Sequence, residues 1–283
     1  MFENPTTAQT GGGAAALTRD RLRSDTHHVV DVTWVRHWTD QYFSFRVTRP
    51  ASFRFRSGEF VMIGLPGAEG GKPVLRAYSI ASPAWADELE FFSIKVPGGP
   101  LTSRLQKVVP SDQILMAKKP TGTLVTDALR PGKRLWLLGT GTGLAPWLSV
   151  AREPDTYDAF ERVTVVHCVR RVGDLAYRDL FERDLRNDEI FGEMVRAKLS
   201  YLPTVTREAF PRTGRITDLI ESGRLFADAC LAQTRFDPVE DRVMLCGSMA
   251  MIRDVAQMLK AQGLKEGSNA EPGDFVLERA FVG

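Results

Sequence analysis

Residues 135–146 read LWLLGTGTGLAP. The first four are apolar and predict a buried strand. A glycine-rich turn follows it, and residues 145–151 are predicted to form the first part of a helix. Such a turn exposes backbone N–H groups and the positive end of a helix to a phosphate or a dinucleotide. Its spacing, Gly-x-Gly-x-Gly, differs from the dinucleotide fingerprint Gly-x-Gly-x-x-Gly, so the turn alone does not identify a ligand.

The sequence after this strand alternates apolar strands with helices. Further strands are predicted at residues 163–169, 195–205 and 243–246, and further helices at 175–185, 218–222 and 249–262. This alternation is typical of a doubly wound α/β fold with a parallel sheet, in which ligands bind beyond the carboxyl ends of the strands.

The sequence before residue 131 consists of short β-type runs separated by turns. The predicted strands are residues 29–35, 42–47, 60–65, 77–81, 89–96 and 113–118, and one helix is predicted at 101–108. Six short strands with Gly and Pro between them predict a small antiparallel β-barrel. We therefore expect a mobile N-terminal tail at residues 1–24, a β-barrel domain at 25–130 and an α/β domain at 131–283.

A second motif, Arg76-Ala77-Tyr78-Ser79, lies at the end of an apolar stretch in the predicted barrel. In an extended strand Arg76 and Tyr78 share one face, while Ser79 points to the other. A cation, a flat ring and a hydroxyl suit an anionic, planar, hydrogen-bonding ligand such as a flavin nucleotide. Taken alone, the motif also fits a surface arginine beside a core tyrosine.

Composition limits the possible classes of function. The chain has 283 residues, of which 43% are hydrophobic and 25% charged, and its net charge of +2 gives no reason to expect binding to nucleic acid or an anionic membrane. The three cysteines, Cys168, Cys230 and Cys246, are widely spaced and the histidines are not grouped, so we expect no metal site and no iron–sulfur cluster. The sequence shows no signal-peptide core or membrane span, and we expect a cytoplasmic protein.

Together with other segments, the two motifs resemble the ferredoxin–NADP⁺ reductase family, in its bacterial branch. The other matching segments are GGPLTSRL at residues 98–105, PTGTL at 120–124, CGS at 246–248 and AFV at 280–282. They follow the order of the family from about residue 29 to the last residue. Met249 departs from the pattern, since many members have proline after Cys-Gly-Ser.

The resemblance implies that the barrel binds FAD noncovalently. Arg76 would pair with the pyrophosphate, Tyr78 would stack on the isoalloxazine ring and Ser79 would hydrogen-bond the flavin near N5. The C-terminal segment would cover the FAD, with Ala280 at the flavin face and Phe281 on the adenine. The other implied FAD-binding residues are Ala77, Phe92, Ser93, Ile94, Lys95, Gly99, Leu101, Thr102, Ser103 and Thr142.

The residues after the second predicted strand of the α/β domain indicate which pyridine nucleotide binds. An NAD-binding domain usually has a carboxylate there for the ribose 2′-hydroxyl, whereas this chain has Arg170 and Arg171. A 2′-phosphate favours clustered guanidinium donors, and the resemblance implies such a cluster, so NADP(H) is favoured over NAD(H). The alternative is that these arginines are solvated ends of strands. The implied NADP-binding residues are Gly141, Arg170, Thr206, Arg207, Arg215, Cys246, Gly247 and Ser248.

The resemblance further implies an enzyme that moves hydride between NADP(H) and FAD, and single electrons between FAD and a separate ferredoxin or flavodoxin. Tyr78, Ser79, Cys246 and Ala280 are the residues implied to serve catalysis, although a cysteine that ends an apolar strand is otherwise most often a core residue. The alternatives are the reductase component of an oxygenase, an NADPH-dependent flavin reductase, and a flavin-bearing module without activity. We expect a monomer.

Overall fold

The computed structural model describes residues 22, 24–67 and 71–278. Within them the chain forms two β-sheets, one of six strands and one of five. The predicted tail, residues 1–24, falls almost wholly outside the described residues, and so do Ala280 and Phe281.

The first sheet is an antiparallel, nearly closed barrel. Its strand order is β4-β3-β6-β1-β2-β5. Its two edges approach each other where the backbone N–H of Ala81, just after β4, donates to the carbonyl of Glu90 in β5 at 2.8 Å. Alternate residues such as Phe43, Phe45 and Val47 point into a buried core. The strands are β1 His27–His37, β2 Tyr42–Thr48, β3 Phe60–Leu65, β4 Val74–Ser79, β5 Glu88–Ile94 and β6 Gln113–Ala117.

The second sheet is parallel, with the order β11-β10-β7-β8-β9. The chain runs outward from β7 through β8 to β9 and then returns to β10 on the other side of β7. A switch point of this kind opens a crevice at the carboxyl ends of the two central strands. The strands are β7 Arg134–Thr140, β8 Arg162–Val169, β9 Leu199–Val205, β10 Asp241–Cys246 and β11 Phe275–Glu278.

Helices and short helical turns cover both faces of the parallel sheet. Leu135 and Leu137 of β7 face one core, while Trp136 and Leu138 face the other. None of the described helices combines the length and the apolar character needed to span a membrane. The helices are α1 Thr102–Leu105 in the barrel, and α2 Ala145–Val150, α3 Pro154–Ala159, α4 Gly192–Lys198, α5 Ile216–Glu221, α6 Arg224–Asp228 and α7 Met249–Ala261.

The barrel followed by a doubly wound sheet confirms the predicted fold class. The expected domain boundary, between residues 130 and 131, lies between the 3₁₀ turn Thr126–Ala128 and β7 and stays a prediction. One core crosses from sheet to barrel, because Tyr42 and Phe92 of the barrel pack with the residues on one face of β7. This shared core holds the crevice against the barrel.

Several elements differ from the prediction. The strand predicted at 195–205 begins only at Leu199, because the preceding residues form α4, with Glu193 in its first turn and basic residues in its last turn, where they suit the helix dipole. The helix predicted at 101–108 shortens to α1, since the N–H groups of residues 107 and 108 bond three residues back. Strand β11 was not predicted.

The prediction of a regular helix at 175–185 is also wrong, because the segment is irregular. Tyr177 has a φ of 60°, and a π-helical turn, Leu180–Asp184, follows it. The Tyr177 hydroxyl donates to Glu90 Oε1 at 2.8 Å and lies 2.5 Å from Ser44 Oγ, and both partners are in the barrel. These buried contacts between the two sheets hold Tyr177 in a conformation that a regular helix excludes.

Candidate active site

The glycine-rich turn stands at the end of β7. Residues Gly141–Leu144 form a 3₁₀ turn and α2 begins at Ala145, with Pro146 in its first turn. A Cβ placed on Gly143 would lie 2.3 Å from the carbonyl oxygen of Cys246, so this position requires glycine. The turn therefore packs backbone to backbone against the end of the neighbouring strand, β10.

Cys246-Gly247-Ser248 forms the matching turn at the end of β10. Gly247 has a φ of 134°, and a Cβ there would lie 2.2 Å from Thr140 Oγ1. The N–H of Ser248 donates to Thr140 Oγ1 at 2.8 Å, and Ser248 Oγ accepts from the N–H of Met251 at 3.4 Å as the N-cap of α7. The two turns are thus fixed to each other at the switch point of the sheet.

A cavity of about 860 Å³ extends from these two turns to the barrel. Its volume lies at the upper end of the range for ligand sites, roughly 300–1,000 Å³. Both sets of predicted binding residues contribute to its wall. Those that line it are Arg76, Ala77, Tyr78, Ser79, Phe92, Ser93, Ile94, Gly99, Leu101, Thr102, Gly141, Thr142, Arg170, Thr206, Arg207, Arg215, Gly247 and Ser248.

The barrel side of the cavity contains the Arg76–Ser79 motif at the end of β4. Tyr78 is buried with its hydroxyl 3.2 Å from Ser93 Oγ, and burial raises the pKa of its phenol. Arg76 is exposed, and one of its N–H groups donates to the carbonyl of Leu75 at 2.8 Å. Arg76 also lines the cavity, where its other guanidinium donors can bind an anionic group.

Among the described residues, Lys95 and Ser103 do not line the cavity. Lys95 Nζ donates to the carbonyl of Thr39 at 2.9 Å, and the hydroxyl of Ser103 donates to the carbonyl of Gly99 at 2.6 Å. Ala280 and Phe281 lie outside the described residues. The roles implied for all the predicted site residues, whether or not they line the cavity, stay predictions.

Cys246 lies beneath the cavity and is fully buried. Burial, followed by the nearby Glu278 carboxyl, raises the pKa of its thiol well above the ordinary range, and the hydroxyl of Ser79 opposes this by hydrogen-bonding the sulfur. The thiol is thus neutral at physiological pH and is held between β4 and β11. It contacts a predicted catalytic residue, Ser79, from the opposite sheet.

Glu278, at the end of β11, was not predicted. Burial raises the pKa of its carboxyl to about 7, although the backbone N–H of Thr123 donates to it at 3.3 Å. Such a carboxyl holds or releases a proton near neutral pH, which is unusual for a glutamate. Strand β11 has only four residues and pairs with β10 far away in sequence, so no local pattern marks Glu278.

The far end of the cavity is basic. Arg170, Arg207 and Arg215 are exposed there, and the backbone N–H of Arg207 donates to the carbonyl of Arg170 at 2.9 Å, which ties the ends of β8 and β9 together. Two carboxylates that the sequence analysis missed, Asp218 and Asp254, share this wall. The arginines supply guanidinium donors of the kind that bind a phosphate.

A buried histidine supports the glycine-rich turn from below. His167 lies with Nε2 3.3 Å from the carbonyl oxygen of Gly141 and Nδ1 3.2 Å from the hydroxyl of Tyr201. Burial lowers its pKa to about 4, so the ring is neutral, with Nε2 donating to the carbonyl. Within the ranges that the structure describes, no cluster of His, Cys, Asp or Glu could hold a metal ion.

Comparisons with known proteins match both halves of this arrangement. The family model of the oxidoreductase FAD-binding domain matches residues 28–125, and that of the oxidoreductase NAD-binding domain matches residues 137–257. The chain is 57% identical to a flavodoxin/ferredoxin–NADP reductase of Rhodobacter capsulatus, over 89% of this chain and 92% of the relative. It is 51% identical to a ferredoxin–NADP reductase of Azotobacter vinelandii, over 90% and 98%.

Among solved structures, the fold is similar to that of a ferredoxin NADP⁺ reductase from Neisseria gonorrhoeae, determined with bound FAD and NADP. The TM-score is 0.81 with 29% sequence identity, and the match covers 91% of this chain and all of the other.

Proposed function

The chain belongs to the ferredoxin–NADP⁺ reductase family, and from this we propose that its one-electron partner is a ferredoxin, a flavodoxin or both. It is an FAD-dependent oxidoreductase that transfers hydride between NADP(H) and FAD and single electrons between FAD and such a carrier. The resemblance carried by its sequence motifs is confirmed, and this function is favoured over an oxygenase reductase component or a flavin reductase.

One observation carries the assignment of the residues. The motif that suits a flavin and the arginines that suit a 2′-phosphate line the same cavity, although they come from different sheets and lie about a hundred residues apart. A hydride donor and its acceptor must come into contact, and a single cavity allows this.

The residues present fit FAD on the barrel side. When bound, FAD accepts two electrons as a hydride and releases them one at a time, which the side chains cannot do. Arg76 offers guanidinium donors to its pyrophosphate, Tyr78 supplies a ring fixed by the hydroxyl of Ser93, and the backbone at Gly99 leaves room for close approach. These assignments are part of the proposal.

The residues on the α/β side fit NADP(H). Arg170, Thr206, Arg207 and Arg215 would bind the 2′-phosphate, since guanidinium groups bind phosphate oxygens in pairs. The backbone N–H groups of the glycine-rich turn, near Gly141, are available for the pyrophosphate.

Three groups from three strands would line the point where the nicotinamide ring of NADP(H) meets the isoalloxazine ring of FAD. Cys246 supplies a neutral, polarisable surface, Ser79 fixes it by a hydrogen bond, and Glu278 holds a proton that it can release near neutral pH. Because Cys246 and Glu278 lie side by side at the carboxyl ends of β10 and β11, a substitution of either changes the polarity at this point.

We further propose that the enzyme works as a cytoplasmic monomer.

The first test of the proposed reaction is to load the purified chain with FAD and to follow NADPH oxidation with ferricyanide, and then with purified ferredoxins and flavodoxins. Replacing Arg76 with alanine should lower FAD content, whereas replacing the exposed Arg235, outside the cavity lining, should not. Failure to bind FAD, or to reduce any of these carriers, would refute the proposal.

A further inference from the structure

Tyr42, at the start of β2, places a fixed aromatic ring in the wall of the cavity. The side chain is only 6% exposed, and its ring centroid lies 5.5 Å from that of Phe92, which also lines the cavity. Its carbonyl oxygen accepts from the N–H groups of Trp38 and Thr39, at 3.0 and 3.3 Å. The barrel therefore fixes both the backbone and the ring of this tyrosine.

The hydroxyl of Tyr42 reaches across to the other sheet. A Cβ placed on Gly141 would lie 3.2 Å from this hydroxyl oxygen, so the phenol lies directly over the glycine-rich turn. Among residues 24–67 and 71–278, no side chain or backbone group hydrogen-bonds the Tyr42 hydroxyl. The hydroxyl is open to the cavity, so it is available to hydrogen-bond a ligand that binds there.

The hydroxyl is a donor under physiological conditions. Burial raises the pKa of Tyr42, Asp174 raises it further, and the Arg170 guanidinium opposes the shift. The phenol thus keeps its proton, and it stands near the Arg170 guanidinium and over the N-terminal end of the glycine-rich turn. Such a set of donors suits an anionic oxygen.

The position of the turn identifies that oxygen. The glycine-rich turn contacts the Cys246-Gly247 turn on one side, and the basic wall with Arg170 and Arg207 lies at the far end of the same cavity. A dinucleotide with its nicotinamide at the Cys246-Gly247 turn and its 2′-phosphate at the basic wall must carry its pyrophosphate across the glycine-rich turn.

On the basis of the proposed function, we propose that Tyr42 is a further NADP(H)-binding residue, whose hydroxyl donates a hydrogen bond to an oxygen of the pyrophosphate. Because its ring belongs to the barrel, this bond connects the nucleotide to the sheet that holds FAD. Tyr42 thereby helps to position the nicotinamide half and not only the adenosine half.

The test measures equilibrium binding of two ligands to FAD-loaded protein by calorimetry. NADP⁺ contains the pyrophosphate, whereas 2′-AMP has only the adenosine and the 2′-phosphate. Tyr42→Phe should raise the Kd of NADP⁺ about tenfold, which equals about 1.4 kcal/mol, and leave that of 2′-AMP within about twofold. Tyr157→Phe, which removes a buried hydroxyl bonded to the carbonyl of Ala151 outside the cavity lining, should change neither.

Flavin content and visible circular dichroism should stay at wild-type values in Tyr42→Phe. An unchanged Kd for NADP⁺ would overturn the inference, and so would equal weakening of both ligands, because that result indicates a distorted cavity. The double variant Arg207→Ala/Arg215→Ala should weaken both ligands. If it weakens neither, the proposed NADP(H) site itself fails and the inference fails with it; if it weakens both while Tyr42→Phe has no effect, only the inference fails.

Discussion

Replacing Glu278 with glutamine should make the protein more stable, and the gain should depend on pH. The Glu278 carboxyl has its pKa raised from 4.5 to about 7, chiefly by burial. Between those two values the folded protein keeps a proton on this group that the unfolded chain has lost. Stability therefore falls as pH rises through this window and stays low above it, because the charged carboxylate is half-buried and loses part of its hydration. Glutamine is neutral at every pH and avoids this loss.

The shift sets the size of the effect. At 1.36 kcal/mol for each pKa unit, the loss in the wild-type protein above neutral pH is on the order of 3 kcal/mol. For a chain of this size, this corresponds to roughly 5–10 °C in the midpoint of thermal unfolding. Near pH 5, where the carboxyl of the folded protein is still protonated, the thermal midpoints of the two proteins should differ by only about two degrees.

The assay compares thermal midpoints of FAD-loaded wild type and Glu278→Gln at about pH 5 and about pH 8.5. Effects of pH on the rest of the molecule are common to both proteins and cancel in the difference. Glu221→Gln, which neutralises an exposed carboxylate at the end of α5, should give no gap that widens with pH. A difference in thermal midpoint between wild type and Glu278→Gln that is constant with pH, or larger in acid, would refute the reasoning.

Three further predictions concern the two turns and the basic wall. Cys246→Ala should keep its FAD but slow flavin reduction by NADPH about tenfold in stopped-flow measurements, since the ring contact loosens; loss of FAD would instead make this cysteine structural. Arg207→Ala/Arg215→Ala should lower the ratio of kcat/KM for NADPH over NADH on the order of 100-fold, and an unchanged ratio would exclude this cluster. Gly247→Ala should cost about 2–4 kcal/mol in urea unfolding, because its Cβ would lie 2.2 Å from Thr140 Oγ1 and 2.8 Å from the Thr140 backbone nitrogen. Gly263→Ala, also at positive φ but with its nearest contact at 3.6 Å, should cost about 1 kcal/mol, and equal costs would contradict this.

The order of elements and the two binding motifs could be predicted from sequence because each is a local signal. Leu135 to Leu138 followed by three spaced glycines predicts a strand and a turn without reference to any other residue. The strand prediction was wrong at residues 195–198, because their apolar positions alternate in the same way as those of the following strand, β9. In the structure these residues form the end of α4. Such boundaries depend on contacts that the pattern does not contain.

The sequence by itself determined the two architectures, the cofactor motifs and the family, since strand and helix periods and glycine-rich turns act within a few residues of each other. Only the tertiary structure decided that Tyr42 lies over Gly141, that Glu278 lies beside Cys246, and that Tyr177 joins the two sheets. The physical reason is that these pairings arise from the shared core and from the parallel strand order, which bring distant residues together and bury them. Burial then changes their chemistry: the pKa of the Glu278 carboxyl is raised to about 7 because the fold removes part of the carboxyl from water.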